Sequence, residues 1–244
     1  MVRKADPDRF LTALFAPAAK REALFTLYAF NNETARAMAA SEPMMALIRL
    51  QWWREVVEGT PKSHEIATPL TTLLASGALD PADLLSMLDA RELTELPTVA
   101  AWRDWLLAGP GALAAAAAGL LGVPDAPGLR ALGAGYGAAG VLRNTAALAR
   151  GGTCLLPEAL LTEHGLSRDA VIAAPDSPAL RPVFASLAAE GRTLLGRARR
   201  RGIGLAAALP AVLARRDLRH PGRPDPRGLA DRLAVTVAAL AGRA

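Results

Sequence analysis

Two carboxylates one helical turn apart can hold Mg²⁺ against a phosphorylated ligand, because i and i+4 side chains share a helix face and the ion requires hard oxygen donors. The stretch YAFNNETARAMAASEP, residues 28–43, has the composition of such a helix, with no Gly or Pro before Pro43. Where the carboxylates would stand it has Ala35, Arg36 and Ala39. Glu33 falls about 200° around the helix from position 35, so it points away. Glu42 would share that face, but Pro43 disfavours helix at the residue before it. A second tract, 126–157, holds no acidic residue at all. The chemistry on offer is therefore cationic: Lys and Arg number 28 against 23 Asp and Glu, a net charge of +5. Such a surface attracts nucleic acid, acidic lipid headgroups or diphosphates.

Other chemistries find little support. His64, His164 and His220 are far apart and lack ligand spacing with one another or with Cys154. Cys154 is the sole cysteine, which excludes an internal disulfide framework, fits a reducing compartment and reads as a small buried hydrophobe. No P-loop or GxSxG is present. RARRRG, 197–202, with Arg215 and Arg216 forms a basic patch without a nucleic-acid-binding motif or interleaved aromatics. Nucleic acid is thus not an expected partner; an anionic membrane surface or a solvated face is.

The elements that position these residues read as helices. Hydrophobic residues make up 52% of the chain and aromatics 5%, and Ala, Leu and Arg dominate over Ile and Val. Apolar residues recur at helical spacing in Phe10, Leu14 and Phe15, in Leu24, Leu27 and Tyr28, and in Ile48, Trp52 and Val56. DPAD, 80–83, predicts a capped helix start running towards Glu95. PEALLTEHG, 157–165, predicts a short helix, and a long one follows over roughly 179–202. RHPGRPDPRG, 219–228, reads as a linker near the C-terminus. Trp105 to Pro124 is uncharged but too rich in Ala and Gly to insert in a bilayer, so a core helix is expected. The expectation is an all-α single domain over 1–244 with eight to ten helices. No secretory signal pattern is visible. A cytoplasmic location is expected, with peripheral attachment to an inner membrane as an open alternative.

Three blocks together carry a family likeness: RFLTALFAPAAKREALFTLYAF at 9–30, IRLQWWREVVEG at 48–59 and GAAGVLRNTAALARGGTCLLPEALLTEHGLS at 137–167. In order and spacing they resemble the squalene/phytoene synthase family over roughly residues 8–200. The resemblance implies an isoprenoid-synthase-like helical bundle around a central cavity. Active members join two prenyl diphosphates head to head there, using Mg²⁺. It also places the first Asp-rich motif over 35–39 and the second over 144–148, where this chain has Asn144 and Leu148. In this block the glycines of GAGYGAAG, 133–140, read as helix-packing contacts.

The resemblance further places Arg143 beside the former second motif. With Arg49, Arg54 and Asn144, it would bind a diphosphate or lipid headgroup directly, since guanidinium groups suit phosphate. Against this, Arg54 has Glu58 at i+4, and Arg36 reads equally as a solvated side chain. Tyr28, Trp52, Trp53 and Tyr136 are the expected cavity-lining aromatics. Trp52 and Trp53 cannot share one stripe, so one belongs to the core and the other lines the cavity or stacks on Arg49. Arg91 and Glu92 read as a helix end reaching solvent, with a cavity-facing pair as the alternative. Two functions stay open. One is a divergent branch of non-catalytic proteins that bind an isoprenoid or phospholipid, contact a respiratory complex subunit and serve complex I assembly, with no cofactor. The other is a prenyltransferase using Mg²⁺ held by Glu42, Asp89 and Glu92.

Overall fold

A computed structural model describes residues 2–38, 43–93, 95–123, 127–196 and 202–244. Glu42, Ala39 and residues 197–201 of the basic patch lie outside the described residues. Fifteen α-helical segments occur among the described residues and no strand. The count exceeds the eight to ten expected because short turns split the chain into segments too brief to show a periodicity of their own.

The chain opens with α1 (Val2–Ala5) and α2 (Pro7–Ala13), the latter capped by Asp6, whose carboxylate accepts the Arg9 N–H at 3.0 Å. Helix α3 (Ala18–Ala37) buries Leu24, Leu27, Tyr28 and Thr34 along one side. It ends at Ala37, short of the Glu42 predicted from composition. Helix α4 (Pro43–Val57) begins with Pro43, where a missing N–H costs nothing. Then come α5 (Ala67–Ala75) and α6 (Pro81–Glu92), whose Asp80 cap accepts from the Ala82 N–H at 2.9 Å.

Helix α7 (Val99–Leu106) runs into a π-helical turn, Leu107–Gly111, and on into α8 (Ala112–Leu120). Pro110 sits inside that turn and cannot donate to the helical ladder, which favours the wider winding. The Leu107 and Ala108 carbonyls find other donors in Arg130 at 3.3 Å and the Ser86 hydroxyl at 3.0 Å. Helix α9 (Pro127–Arg150) is the longest among the described residues and packs against the π-helical turn, α7, α8 and four later helices. The remainder comprises α10 (Glu158–Glu163), α11 (Arg168–Ala173), α12 (Arg181–Gly196), α13 (Leu205–Ala208), α14 (Pro210–Asp217) and α15 (Leu229–Leu240). One continuous apolar cluster joins residues from Val2 to Leu218, and a smaller one gathers Leu209, Leu213 and Val235.

The close approach of α9 to the π-helical turn depends on glycine. A Cβ at Gly133 would collide with the Ala114 methyl and the Pro110 carbonyl, and one at Gly137 with the Pro110 ring. Both glycines are packing contacts, as expected from the 133–140 block. Gly133→Ala should cost about 1–3 kcal/mol, because the neighbour it meets includes fixed backbone. A thermal melt showing no loss would mean the two segments separate freely.

Candidate functional site

Helices α2, α3, α6 and α9 and the π-helical turn enclose a cavity of about 910 Å³. Its apolar wall includes Phe10, Leu11, Met87, Trp105, Pro110 and Leu213. Six arginines and three aspartates also line it: Arg3, Arg9, Arg91, Arg143, Arg227 and Arg232 against Asp6, Asp8 and Asp231. An apolar body with a surplus of guanidinium groups suits an amphipathic anion.

The carboxylates are already engaged. Asp6 pairs with Arg9 at 2.8 Å. Asp8 accepts from Arg227 Nε at 2.9 Å and from the Tyr136 hydroxyl at 3.1 Å. Arg227 also donates through both terminal nitrogens to Asp217, at 2.6 and 2.8 Å. Asp231 is held by Arg216 at 2.8 Å. Arg9 lies over the Tyr136 ring, 4.8 Å from its centroid, and 5.9 Å from that of Tyr28. Burial opposes the charge on Arg9, yet Asp6 and the tyrosines outweigh it and hold the guanidinium above its ordinary value. Burial pushes the Tyr28 hydroxyl up to about 12 and that of Tyr136 higher still, so both stay protonated donors.

Arg91 differs from the other cavity arginines. Its Nε donates to the Thr34 hydroxyl at 2.9 Å, and Nη2 to the Asn31 carbonyl at 3.0 Å and carboxamide oxygen at 2.8 Å. All three acceptors are neutral. Burial first, and the neighbouring Arg9 charge second, lower its pKa to about 10. A cation held in this way at a cavity wall is stabilised by an anion arriving beside it.

Of the residues singled out in the sequence, the structure brings Tyr136, Arg143 and Asn144 together on the cavity wall. Arg143 donates to the Asp225 carbonyl at 2.5 Å, and Asn144 to the Gly140 carbonyl at 2.9 Å. Tyr28 is buried behind Arg9 and Tyr136. The other four lie elsewhere. Trp53 is buried in the core and Trp52 half-buried, in edge contact with each other and with His64. Lys62, 6.0 Å from the Trp52 ring, stands where stacking on Arg49 was considered. Arg49 is exposed. Arg54 bridges from α4 to α6, meeting Asp89 at 2.7 Å and Glu92 at 2.8 Å rather than Glu58, which lies in the turn just past the end of α4. The expectation for Arg91 and Glu92 is corrected in half: Glu92 reaches solvent, whereas Arg91, one residue back, turns into the cavity.

Sequence reasoning missed Arg9, Asp8 and Arg227 altogether. Arg227 sits in the tract read as a linker, and its partner Asp8 lies at the opposite end of the chain. The pairing leaves no local spacing to find.

The donors at the aligned motif positions do not suit a Mg²⁺ clamp. The Ala35 side chain carries no oxygen, and Asn144 offers a neutral carboxamide, whose nitrogen donates to the Gly140 carbonyl, where a clamp would need a carboxylate. Asp89 and Glu92 are held by Arg54. Among the described residues, no three His, Cys, Asp or Glu side chains converge as metal ligands.

Comparisons with known proteins bear on the fold and the family. Two solved structures share the fold: a ligand-bound dehydrosqualene synthase, with TM-score 0.77 and 14% identity over 98% of this chain and 93% of that one, and the squalene synthase HpnC from Alicyclobacillus acidocaldarius, with TM-score 0.68 and 16% identity over 99% and 91%. Two curated relatives are the NADH dehydrogenase (ubiquinone) complex I assembly factor 6 of Homo sapiens, 32% identical over 97 residues, and that of Bos taurus, 31% identical over 97 residues. The matched stretch covers 38% of this chain and 29% of the human relative's length. The family model for squalene/phytoene synthase matches residues 2–237, and with nearly the whole chain covered, this protein belongs to that family.

Proposed function

We propose that this protein is a non-catalytic member of its family that holds an amphipathic anion, an isoprenoid diphosphate or a phospholipid, through guanidinium groups and without Mg²⁺. Its cellular role, on this reading, is assembly of a respiratory complex, by analogy with the named role of the assembly-factor relatives. The observation that carries the proposal is Arg91: a guanidinium in the cavity wall beside Arg9, with only neutral acceptors from the protein. Active relatives by resemblance meet a diphosphate through metal ions. Here arginines occupy the wall, and side chains with no carboxylate occupy the aligned motif positions. The arginines stabilise bound phosphate oxygens directly but provide no divalent cation to draw a diphosphate away from carbon.

The test is incubation of purified protein with labelled farnesyl and geranylgeranyl diphosphate, with and without Mg²⁺, followed by organic extraction. The expected result is no hydrocarbon product under either condition, together with metal-independent retention of the diphosphate. Metal-dependent formation of a squalene- or phytoene-like product would overturn the proposal and turn attention to Glu42, Asp89 and Glu92 as ligands.

A further inference from the structure

Helix α15 leaves an apolar stripe uncovered. Leu229, Leu233, Val237 and Leu240 are 73%, 53%, 62% and 81% exposed. Their spacing puts all four within about 80° of one another around the helix. The opposite side is already satisfied: Val235 packs with Leu209 and Leu213, and Asp231 is held by Arg216. Rotating the helix to hide the stripe would therefore break an existing core contact and an ion pair.

The charges around the stripe select its partner. From residue 219 to the end of the given sequence, exposed Arg219, Arg223, Arg232 and Arg243 stand against one exposed acid, Asp225. An apolar helix face rimmed by arginines fits the interface of an anionic bilayer, where acyl chains take the leucines and headgroups take the cations. No helix among the described residues is long and apolar enough to cross a membrane, so contact through this face is interfacial. Arg232 also lines the cavity, as do exposed Arg3 and Leu14. Arg232, three residues after Leu229 and next to Leu233, thus brings one rim of the cavity beside the stripe.

We propose that α15 lies in the interface of an anionic lipid bilayer, with Leu229, Leu233, Val237 and Leu240 buried among the acyl chains and the Arg232 rim of the cavity facing the headgroups. Docking stands on the stripe and its charges; only entry of a membrane amphiphile into the cavity rests on the function proposed above.

Flotation of the full chain with phosphatidylcholine vesicles, with and without phosphatidylglycerol, tests it. The wild type should float with the anionic vesicles and dissociate as salt rises. The triple variant Leu233→Gln, Val237→Gln, Leu240→Gln should lower partition by about tenfold or more, since three buried apolar side chains are lost. Its far-UV circular dichroism and Tm should match wild type, because the replaced side chains touch solvent. Its affinity for inorganic pyrophosphate in solution should also be unchanged, which separates failure of docking from failure of cavity binding. Two results would overturn the proposal: no flotation with anionic vesicles, or equal flotation of the variant. A wild-type dimer that the triple variant converts to monomer, with no vesicle binding by either, would instead assign the stripe to a second copy of the chain.

Discussion

Arg91→Met is expected to weaken binding of inorganic pyrophosphate by about 10–100-fold while leaving Tm unchanged or slightly raised. The binding loss follows from removing charge-assisted hydrogen bonds of about 1.5–3 kcal/mol in a site largely withdrawn from water. The stability result follows from the direction of the pKa. Burial and Arg9 hold Arg91 near 10, well below its ordinary value, so below pH 10 its charge opposes folding, and that cost fades as pH rises above 10. Methionine fills similar space without the charge, and replacing a buried ion by an apolar side chain is often neutral or stabilising. The Asn31 carboxamide, which borders the cavity, can turn to a solvent molecule. Pyrophosphate affinity of the wild type should also fall as pH passes about 10, and the variant should lose that dependence. Isothermal titration and thermal melts across pH read both effects. A variant that melts several degrees lower and binds pyrophosphate as well as wild type would make Arg91 a strut between α3 and α6 and nothing more.

Asp8→Ala should have the opposite signature. Asp8 is 9% exposed and joins Arg227 to Tyr136, so its loss strips one partner from a buried cation and an acceptor from a buried phenol. A destabilisation of about 2–4 kcal/mol is expected, below the range for breaking a fully isolated buried pair because Arg227 keeps both bonds to Asp217. For a chain of this length that lowers Tm by roughly 10 °C. Pyrophosphate should bind no more weakly, and more tightly at low salt, because the cavity loses a negative charge and Arg227 Nε becomes available. Loss of stability and of binding together would show that the cavity's shape, rather than its charge, governs affinity.

Legibility of the sequence followed the range of the interactions. Local ones could be read directly: Asp80 and Pro81 at the start of α6, Pro157 before α10, the close-packed glycines of α9 and the burial of Cys154 all depend on neighbours within a few positions or on side-chain size. The all-α class followed from composition for the same reason. The cavity's polar wall was harder. Arg54 was paired with Glu58 by helical spacing, but a helix packed alongside offered Asp89 and Glu92, and tertiary neighbours won over the local one. Arg91 and Glu92 differ by one residue, hence by about 100° of helix rotation, and only the position of α3 decides which of them is enclosed. Arg143 and Asn144, which line the cavity, lie in the part of the recognisable block 137–167 that α9 carries, and Tyr136 stands one residue before it. Arg9 lies inside another quoted block, but nothing in its local spacing marks it: the Tyr136 ring it covers comes from a helix more than a hundred residues away.

The bond between Asp8 and Arg227 spans 219 positions of the chain. During synthesis, the amino-terminal half of the cavity emerges long before the residue that closes it. Until Arg227 leaves the ribosome, Asp8 lacks the guanidinium that it accepts from in the finished fold, and the cavity lacks a wall. The bundle must therefore mature late, after long-range contacts of high closure cost have formed. A chain stalled before α14 exposes a half-built apolar trough, the kind of surface that chaperones engage and that aggregates when they do not.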